Sequence, residues 1–588
     1  MLKKFLITLL GSVTGVWIAF GIAFFAFFGL IGAMIGDSGA EPPALEKHSA
    51  LHINLSGNMP ERYQPGDIWQ ILRDSESDGD ALVDILAAIR MAATDSKIDG
   101  IYITAPMGAS SGAGVAAREE IVQALREFKK SGKWIVSYAD SYSQGDYTLA
   151  CLADSIFLNP SGSLDIHGVA SQVPFFKEVM DKLGVNMQIV RVGTYKSAVE
   201  PFMGTEMSPA SRLQTQVMLD SIWNYLTGVY TSARPVKTAA VNMWADSVIA
   251  TWPAKDVLAA KAVTALRYRR QADDAVRDLC GLDEDDDLRL ITPTDYMAVQ
   301  KSFSADKKHV AVLVAAGDIV DAGEGGIVAE SLVPEILSLA DDDNVRALVM
   351  RVNSGGGSAF ASEQIWEAFE YFKEQGKPFY VSMGDYAASG GYYISCGADK
   401  IYADRTTLTG SIGVFGMIPD VHGLVTDKLG IHFGTVATNP AGTLESPYKA
   451  LTPSQLAALQ RSVDDIYDQF TSRVAQGRGI PQDSVKVIAE GRVWTGGAAR
   501  SLGLVDEIGG LRQAIVDIAA EADIDPDHIV FYPDVQDEFL NQILRQARGN
   551  VTIGNATVSP ETLRLLRMLD YLRSMPRVQA RMEPIEIR

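Results

Sequence analysis

The sequence predicts an α/β fold built twice in one chain, behind an N-terminal membrane anchor. Three observations carry this reading: a stretch that repeats after about 245 residues, an alternation of short apolar strands with helices through glycine-rich turns, and one long charge-free apolar run confined to the N-terminus.

The anchor stands first in the chain. Lys3 and Lys4 precede an apolar run over residues 5–35, and Asp37, Glu41 and Glu46 follow it. About 20 apolar residues cross the roughly 30 Å of a bilayer core, so the run is long enough to span. Positive charge stays on the cytoplasmic side, which sends the chain after Asp37 out of the cytoplasm. The run exceeds the roughly 7 to 15 residues of a signal-peptide core, so residues 1–40 are expected to be a retained anchor, not a cleaved leader.

The repeat comes next. Residues 136–169 lie over residues 381–414 without a gap, and 11 of the 34 positions are identical. The match extends in both directions with small shifts: IDGIYITAPMGAS from Ile98 lies over VRALVMRVNSGGG from Val345, and DKLG at Asp181 over DKLG at Asp427. Cys151 falls on Cys396, which marks both as packing residues.

Each copy reads as strand, helix, strand. ALVMRV from Ala347 is short and apolar and ends at Asn353, Ser354 and three glycines; EQIWEAFEYFKE from Glu363 then carries apolar residues at helical spacing, and the next strand begins at Phe379. That order predicts βαβ units around a buried, mostly parallel sheet. The first copy is placed over residues 47–282, a linker opening with an acidic run over 283–308, the second copy over 309–533, and a tail over 534–588. Within the tail, residues 559–574 start like a helix, with Pro560 at the first position.

Composition excludes several classes. With 47% apolar and 21% charged residues the chain can bury sizeable cores, and its formal charge of −21 argues against a nucleic-acid partner. Three cysteines without CxxC spacing and seven histidines without HExxH indicate neither a disulfide framework nor a metal site, and no GxxxxGK[ST] occurs. No cofactor is expected. The Gly112-Ala113-Gly114 string after a strand mimics a dinucleotide fingerprint, but it falls on the counterpart of the Asn353–Gly357 turn.

Chemistry appears where the copies differ. Ala388-Ser389-Gly390-Gly391 puts a serine between small residues just after a strand, whereas the first copy has Gln144 there. Glycines after such a serine let backbone N–H groups face an oxyanion, and the turn at Asn353–Gly357 can supply a second N–H. The difference is reciprocal: GTYKSAVEP from Gly193 carries Lys196, whereas the related GTLESP from Gly442 carries Glu445. A lysine serves as base near neutral pH only if burial lowers its pKa from about 10.4 toward 7, at roughly 4 kcal/mol. A dry, apolar site is therefore expected. Alone, Ser389 reads as a small turn residue and Lys196 as a surface lysine; their reciprocal pairing is what points to a nucleophile and its base.

Together, GTYKSAVEPF, ASGGYY and GRVWTGGAARSLGLVDEIGG from Gly491 resemble the long form of the signal peptide peptidase A family, Ser/Lys proteases of the Clp protease and crotonase superfamily. The resemblance covers nearly the whole chain. It implies two tandem crotonase/Clp-protease-like domains, with Ser389 as nucleophile, Lys196 as general base, the N–H groups of Gly390 and Gly356 as oxyanion donors, and Ser411 orienting the lysine. The chain departs from the family's NSPGG turn in having Gly355 in place of proline. The resemblance further implies a homotetramer on the bacterial inner membrane with its body in the periplasm, degrading signal-peptide remnants and other peptides. It leaves open whether serine and lysine come from one subunit or two. A crotonase-like acyl-CoA enzyme would share the sheet but leave Lys196 unexplained; a non-catalytic membrane scaffold would function unchanged with Ser389→Ala. A Ser/His/Asp hydrolase would need a histidine beside Ser389, which no motif supplies.

Overall fold

The computed structural model describes residues 45–62, 79–106, 112–300, 303–323, 325–444, 446–533 and 578–582. The expected anchor over residues 1–40, the helix over 559–574 and Glu445 lie outside the described residues. Among the described residues no helix is long and apolar enough to cross a membrane.

The first half contributes strands β1 (Ser49–Asn54), β2 (Ile98–Ala105), β3 (Trp134–Ala139), β4 (Ser155–Leu158), β5 (Asn186–Val192), β6 (Ala265–Leu266) and β7 (Leu290–Ile291). Six of them form one parallel sheet in the order β6-β4-β3-β2-β1-β7. Side chains alternate across a strand, so its two faces build two cores. Ile101 and Ile103 pack with Ile85, Ile89, Ile121 and Leu125 of the helices Leu82–Ala92 and Val115–Lys129. Tyr102 and Tyr138 pack with Ala272 and Val276 of helix Arg269–Leu279 on the other face. The stretch 283–308, expected as a linker, adds β7 to the edge of this sheet and the helix Pro293–Ala298, whose buried Tyr296 donates to Asp95 at 2.8 Å.

The second half contributes β8 (His309–Ala316), β9 (Ile319–Val320), β10 (Ile327–Val328), β11 (Val345–Ser354), β12 (Gly356–Ser358), β13 (Phe379–Ala388), β14 (Lys400–Ala403), β15 (Leu408–Gly410), β16 (Val414–Asp420), β17 (Val493–Thr495), β18 (Glu507–Ile508), β19 (Ile529–Tyr532) and, from the tail, β20 (Val578–Arg581). The parallel series β18-β14-β13-β11-β8-β19 repeats the strand order of the first half, the structural trace of the duplication. β15 pairs with the far end of β13, and β17 joins it antiparallel.

A third sheet, β10-β9-β12-β20-β16-β5, was not foreseen from the sequence. In it β5 of the first half runs antiparallel to β16 of the second, from Asn186 opposite Asp420 to Val192 opposite Val414. Each half therefore has its own parallel sheet, and the halves are joined by backbone hydrogen bonding.

Charge is buried between the halves. Arg351 on β11, 1% exposed, donates to Glu61 at 2.8 Å and to Glu120 at 2.5 Å, and Glu120 also accepts the N–H of Leu511. Burial opposes the Arg351 charge, but Glu120 and Glu61 outweigh it and hold the guanidinium above its ordinary range. Asp385 on β13 crosses to the first half, accepting the N–H groups of Ala116 at 2.8 Å and Ala117 at 3.2 Å at the start of helix Val115–Lys129. A carboxylate thus occupies the turn that mimicked a dinucleotide fingerprint. Cys151, Cys280 and Cys396 are buried free thiols.

Candidate active site

Ser389 follows directly on β13 and precedes the short helix Gly390–Ser395. Its backbone is held at φ 57°, ψ −115°, outside the ordinary regions for a residue with a side chain. Two flanking bonds over-determine that turn: the Ser389 N–H donates to Gly410 O at 2.7 Å, and Tyr393 N–H donates to Ser389 O at 2.8 Å. Strand-to-helix reversal with no intervening loop leaves the hydroxyl fixed, and the residue is fully buried.

Lys196 reaches it from the other half of the chain. β5 is carried into the second half by its ladder with β16, and the loop after it, Gly193 to Lys196, is clamped by Glu490. Tyr195 N–H donates to Glu490 O at 2.8 Å, while the Thr194 N–H and hydroxyl both donate to Glu490 Oε2, at 2.9 and 2.7 Å. Gln214 closes the other side, donating to Tyr195 O at 3.1 Å and to Ser197 Oγ at 2.9 Å. Gly491, at φ +72°, abuts the lysine: a Cβ there would lie 2.7 Å from Lys196 Cβ and 2.8 Å from its Cα and N. Nothing larger than a hydrogen fits.

The Lys196 side-chain nitrogen ends 2.7 Å from Ser389 Oγ, 3.0 Å from Ser411 O and 3.1 Å from Ser411 Oγ. Lys196 is 1% and Ser411 2% exposed, so all three groups are withdrawn from water. Ser411 also has a left-handed backbone, φ 49°, pinned by its N–H donating to Arg492 O at 2.7 Å. Ser389, Lys196 and Ser411, singled out in the sequence, therefore meet within one chain. Glu490, Gly491 and Gln214, which position the lysine loop, were not singled out. The signal for Gly491 lay in the motif it begins; Gln214 and Glu490 give none.

The glycine turn of β11–β12 stands on the other side of the serine. Gly356, expected to supply a second oxyanion N–H, donates that N–H to Ser354 Oγ at 3.1 Å. The next amide also borders the serine turn: the Gly357 nitrogen lies 3.1 Å, and the Ala580 carbonyl oxygen 3.0 Å, from the point where a Cβ on Gly390 would stand. Gly356 itself, at φ +102°, is required by close approach, since a Cβ there would lie 2.1 Å from Ala580 O and 2.7 Å from Gly390 N. Among the described residues no cluster of His, Cys, Asp or Glu is arranged to hold a metal ion.

Comparison with known proteins fits this geometry. The sequence matches peptidase family S49 over residues 127–283 and again over 371–525, the first segment holding Lys196 and the second Ser389 and Ser411. Residues 319–411 also match the Clp protease family. Among relatives, the "Protease 4" of Haemophilus influenzae is 36% identical over 514 residues, covering 84% of this chain and 83% of its own. The "Protease 4" of Salmonella typhi is 35% identical over 550 residues, 90% of this chain and 87% of its own. The chloroplastic "Serine protease SPPA" of Arabidopsis thaliana is 30% identical over 492 residues, 82% of this chain and 70% of its own. The chain is thus a serine protease with a duplicated S49 domain, and it belongs to peptidase family S49.

Proposed function

We propose that the protein hydrolyses peptide bonds with a Ser389/Lys196 dyad, anchored in a membrane by its N-terminal segment, and that its substrates are signal-peptide remnants and other extended peptides. The observation that carries this reading is the 2.7 Å separation of Lys196 Nζ and Ser389 Oγ in a site closed to water. Burial favours a neutral amine over an ammonium, which is what a lysine needs to act as a base.

In this reading Lys196 takes the proton from Ser389 as the hydroxyl attacks the substrate carbonyl. Gly390 and Gly357, with Gly357 in place of Gly356, hold the oxyanion by their N–H groups. Lys196 then protonates the leaving amine, and water hydrolyses the acyl-enzyme. Ser411 keeps the amine aimed at Oγ through its carbonyl and hydroxyl. No step draws on a cofactor or a nucleic acid.

The charge-free run over residues 5–35 supports attachment to the bacterial inner membrane with the body in the periplasm. Assembly into a homotetramer is supported by apolar side chains left exposed beside the β5–β16 ladder, Phe176, Val179 and Leu183 with Leu429, Ile431 and Phe433. The test is hydrolysis of casein and of model peptides by the full-length chain, Ser389→Ala and Lys196→Ala at matched folding and assembly. Loss in both variants is expected; a near wild-type rate with Lys196→Ala would mean that the base is another group.

A further inference from the structure

β11 and β13 pair in parallel from Leu348 opposite Phe379 to Val352 opposite Met383, and then the register slips, so that Ser354 stands opposite Ala387. One residue of β11, Asn353, therefore faces three of β13: Gly384, Asp385 and Tyr386. The bulge falls just before Ser389 on one strand and just before the glycine turn on the other. A bulge re-aims the strand end that follows it, while its extra residues lose their ladder partners. Other groups have to hold it.

Each of the three bulged residues is held, and the first half of the chain takes part at two of them. Gly384 O accepts the Thr407 hydroxyl at 2.8 Å. The Asp385 carboxylate takes the Ala116 and Ala117 N–H groups of the first half. Tyr386 N–H donates to Asn353 Oδ1 at 3.1 Å, and Asn353 Nδ2 in turn donates at 2.8 Å to Oε1 of Glu61, a first-half residue 6% exposed. This pair lies directly over the bulge: a Cβ on Gly384 would stand 2.6 Å from Glu61 Oε1 and 3.2 Å from Asn353 Cβ and Cγ.

An amide side chain can face its surroundings with either its oxygen or its NH2, and the neighbours decide which. A carboxylate paired with Arg351 can only accept, so Glu61 obliges Asn353 to turn its NH2 toward it and its oxygen toward Tyr386. Reversed, the amide would set NH2 against an N–H and release the bulge. Asn353 also accepts the Gly317 N–H through its backbone carbonyl at 2.9 Å, and it leads into Ser354, whose Oγ takes the Gly356 N–H. The Ser354 carbonyl oxygen would lie 2.6 Å from a Cβ on Gly391, in the helix that Ser389 begins. One amide thus governs both the strand end that carries Ser389 and the turn that faces it.

We infer that Glu61 is a positioning residue for peptide hydrolysis, fixing the Asn353 amide and through it the bulge that aims Ser389 at Lys196, an inference that rests on the Ser389/Lys196 reading above. The first half then contributes twice to one site: Lys196 as the base, and Glu61 as the group that keeps the serine in front of it. Glu61 acts through Asn353 and not on the reacting atoms.

The experiment measures kcat and KM on a casein-derived peptide for the full-length chain and for Glu61→Gln, Glu120→Gln, Asn353→Ala and Glu61→Gln/Asn353→Ala, with the melting temperature of each. The two glutamines make the same chemical change on the same guanidinium, but only Glu61 touches Asn353. Glu61→Gln is expected to lower kcat about tenfold with KM within about twofold of wild type, because its amide no longer dictates which way Asn353 faces. Glu120→Gln is expected to keep kcat within about twofold while losing comparable thermal stability. Asn353→Ala, which leaves the buried ions in place, should lower kcat at least as far as Glu61→Gln, and the double variant no further than Asn353→Ala. Equal losses of kcat in Glu61→Gln and Glu120→Gln would assign the effect to the ion cluster and overturn the inference, as would a wild-type kcat in either Glu61→Gln or Asn353→Ala. Losses that multiply in the double variant overturn the route through Asn353. Hydrolysis that survives Ser389→Ala in the same assay is the separate result that removes the underlying Ser389/Lys196 reading.

Discussion

Gln144 Oε1 accepts the backbone N–H of Gly168 at 3.0 Å while its Nε2 donates to the Gly168 carbonyl at 2.8 Å. The His167 N–H adds a third bond to Oε1, at 3.1 Å. Gln144 stands at the position of Ser389 in the repeat, and Gly168 at that of Gly413, where a Cβ would lie 3.2 Å from Lys196 Cδ. One amide side chain therefore plugs, in the first half, the ground that the serine and lysine share in the second. Gln144→Ser is expected to leave Ser389-independent hydrolysis undetectable, because it opens the plug without supplying a base; the assay is peptide hydrolysis by Gln144→Ser/Ser389→Ala.

Ser389 and Lys196 should act as one unit. Ser389→Ala and Lys196→Met are each expected to lower kcat by at least about 10³-fold, and the double variant to fall no further than the worse single one. Independent contributions would instead multiply, which single-turnover kinetics on the three variants reads directly.

Ser411 offers the lysine two acceptors, only one of them a side chain. Ser411→Ala removes the 3.1 Å contact and leaves the carbonyl at 3.0 Å, so kcat is expected to fall about 10- to 100-fold with KM nearly unchanged. A change confined to KM would assign Ser411 to substrate binding.

Gly491→Ala tests positioning at a distance from the reacting atoms. The new Cβ meets Lys196 main-chain atoms at 2.8 Å, and the residue must hold φ +72°. Displacing the lysine backbone by about 1 Å is expected to cost roughly 100-fold in kcat, with the melting temperature falling far less than activity.

Arg351→Met leaves Glu61 and Glu120 buried without their cation. A loss of about 3–5 kcal/mol in unfolding free energy is expected, measured by denaturant titration, whereas surface Arg270→Met, paired with exposed Asp274, should change it by less than about 1 kcal/mol.

Asp84 gives the pH dependence a sign. Burial first, then Asp80, raises its carboxyl to about 6, against the opposing pull of Arg62. In the unfolded chain an aspartate titrates near about 4, so between these values the folded state holds more protons and stability falls as pH rises. Asp84→Asn is expected to raise the melting temperature by about 2–4 °C at pH 8, the gain closing by pH 4. An equal shift at both pH values would trace the effect to packing.

The sequence discloses what repetition and local chemistry encode. Two copies of a parallel sheet, the serine after β13 and the lysine after β5 were all legible because each has a local pattern and a counterpart to be compared with. The ladder between β5 and β16 was not, since NMQIVRV reads as an ordinary strand and nothing local says that its partner lies in the other half. VQAR at β20 is too short and polar to read as a strand, and its place depends on two edges supplied from far away. The Glu61–Arg351–Glu120 cluster escaped for a similar reason: each member is an ordinary surface type until the fold encloses it. The bond from the Gly356 N–H to Ser354 Oγ was not legible either, because it depends on where that hydroxyl points.

The antiparallel pairing of β5 with β16 also decides how the site responds to dilution. Two separate copies sharing serine and lysine would lose the pair as they drifted apart, with specific activity falling at low concentration. Here the ladder is a covalent neighbour's contact, so every chain carries a stoichiometric pair at a fixed effective concentration. Whatever assembly adds around it, the meeting of Ser389 and Lys196 is a property of the single molecule.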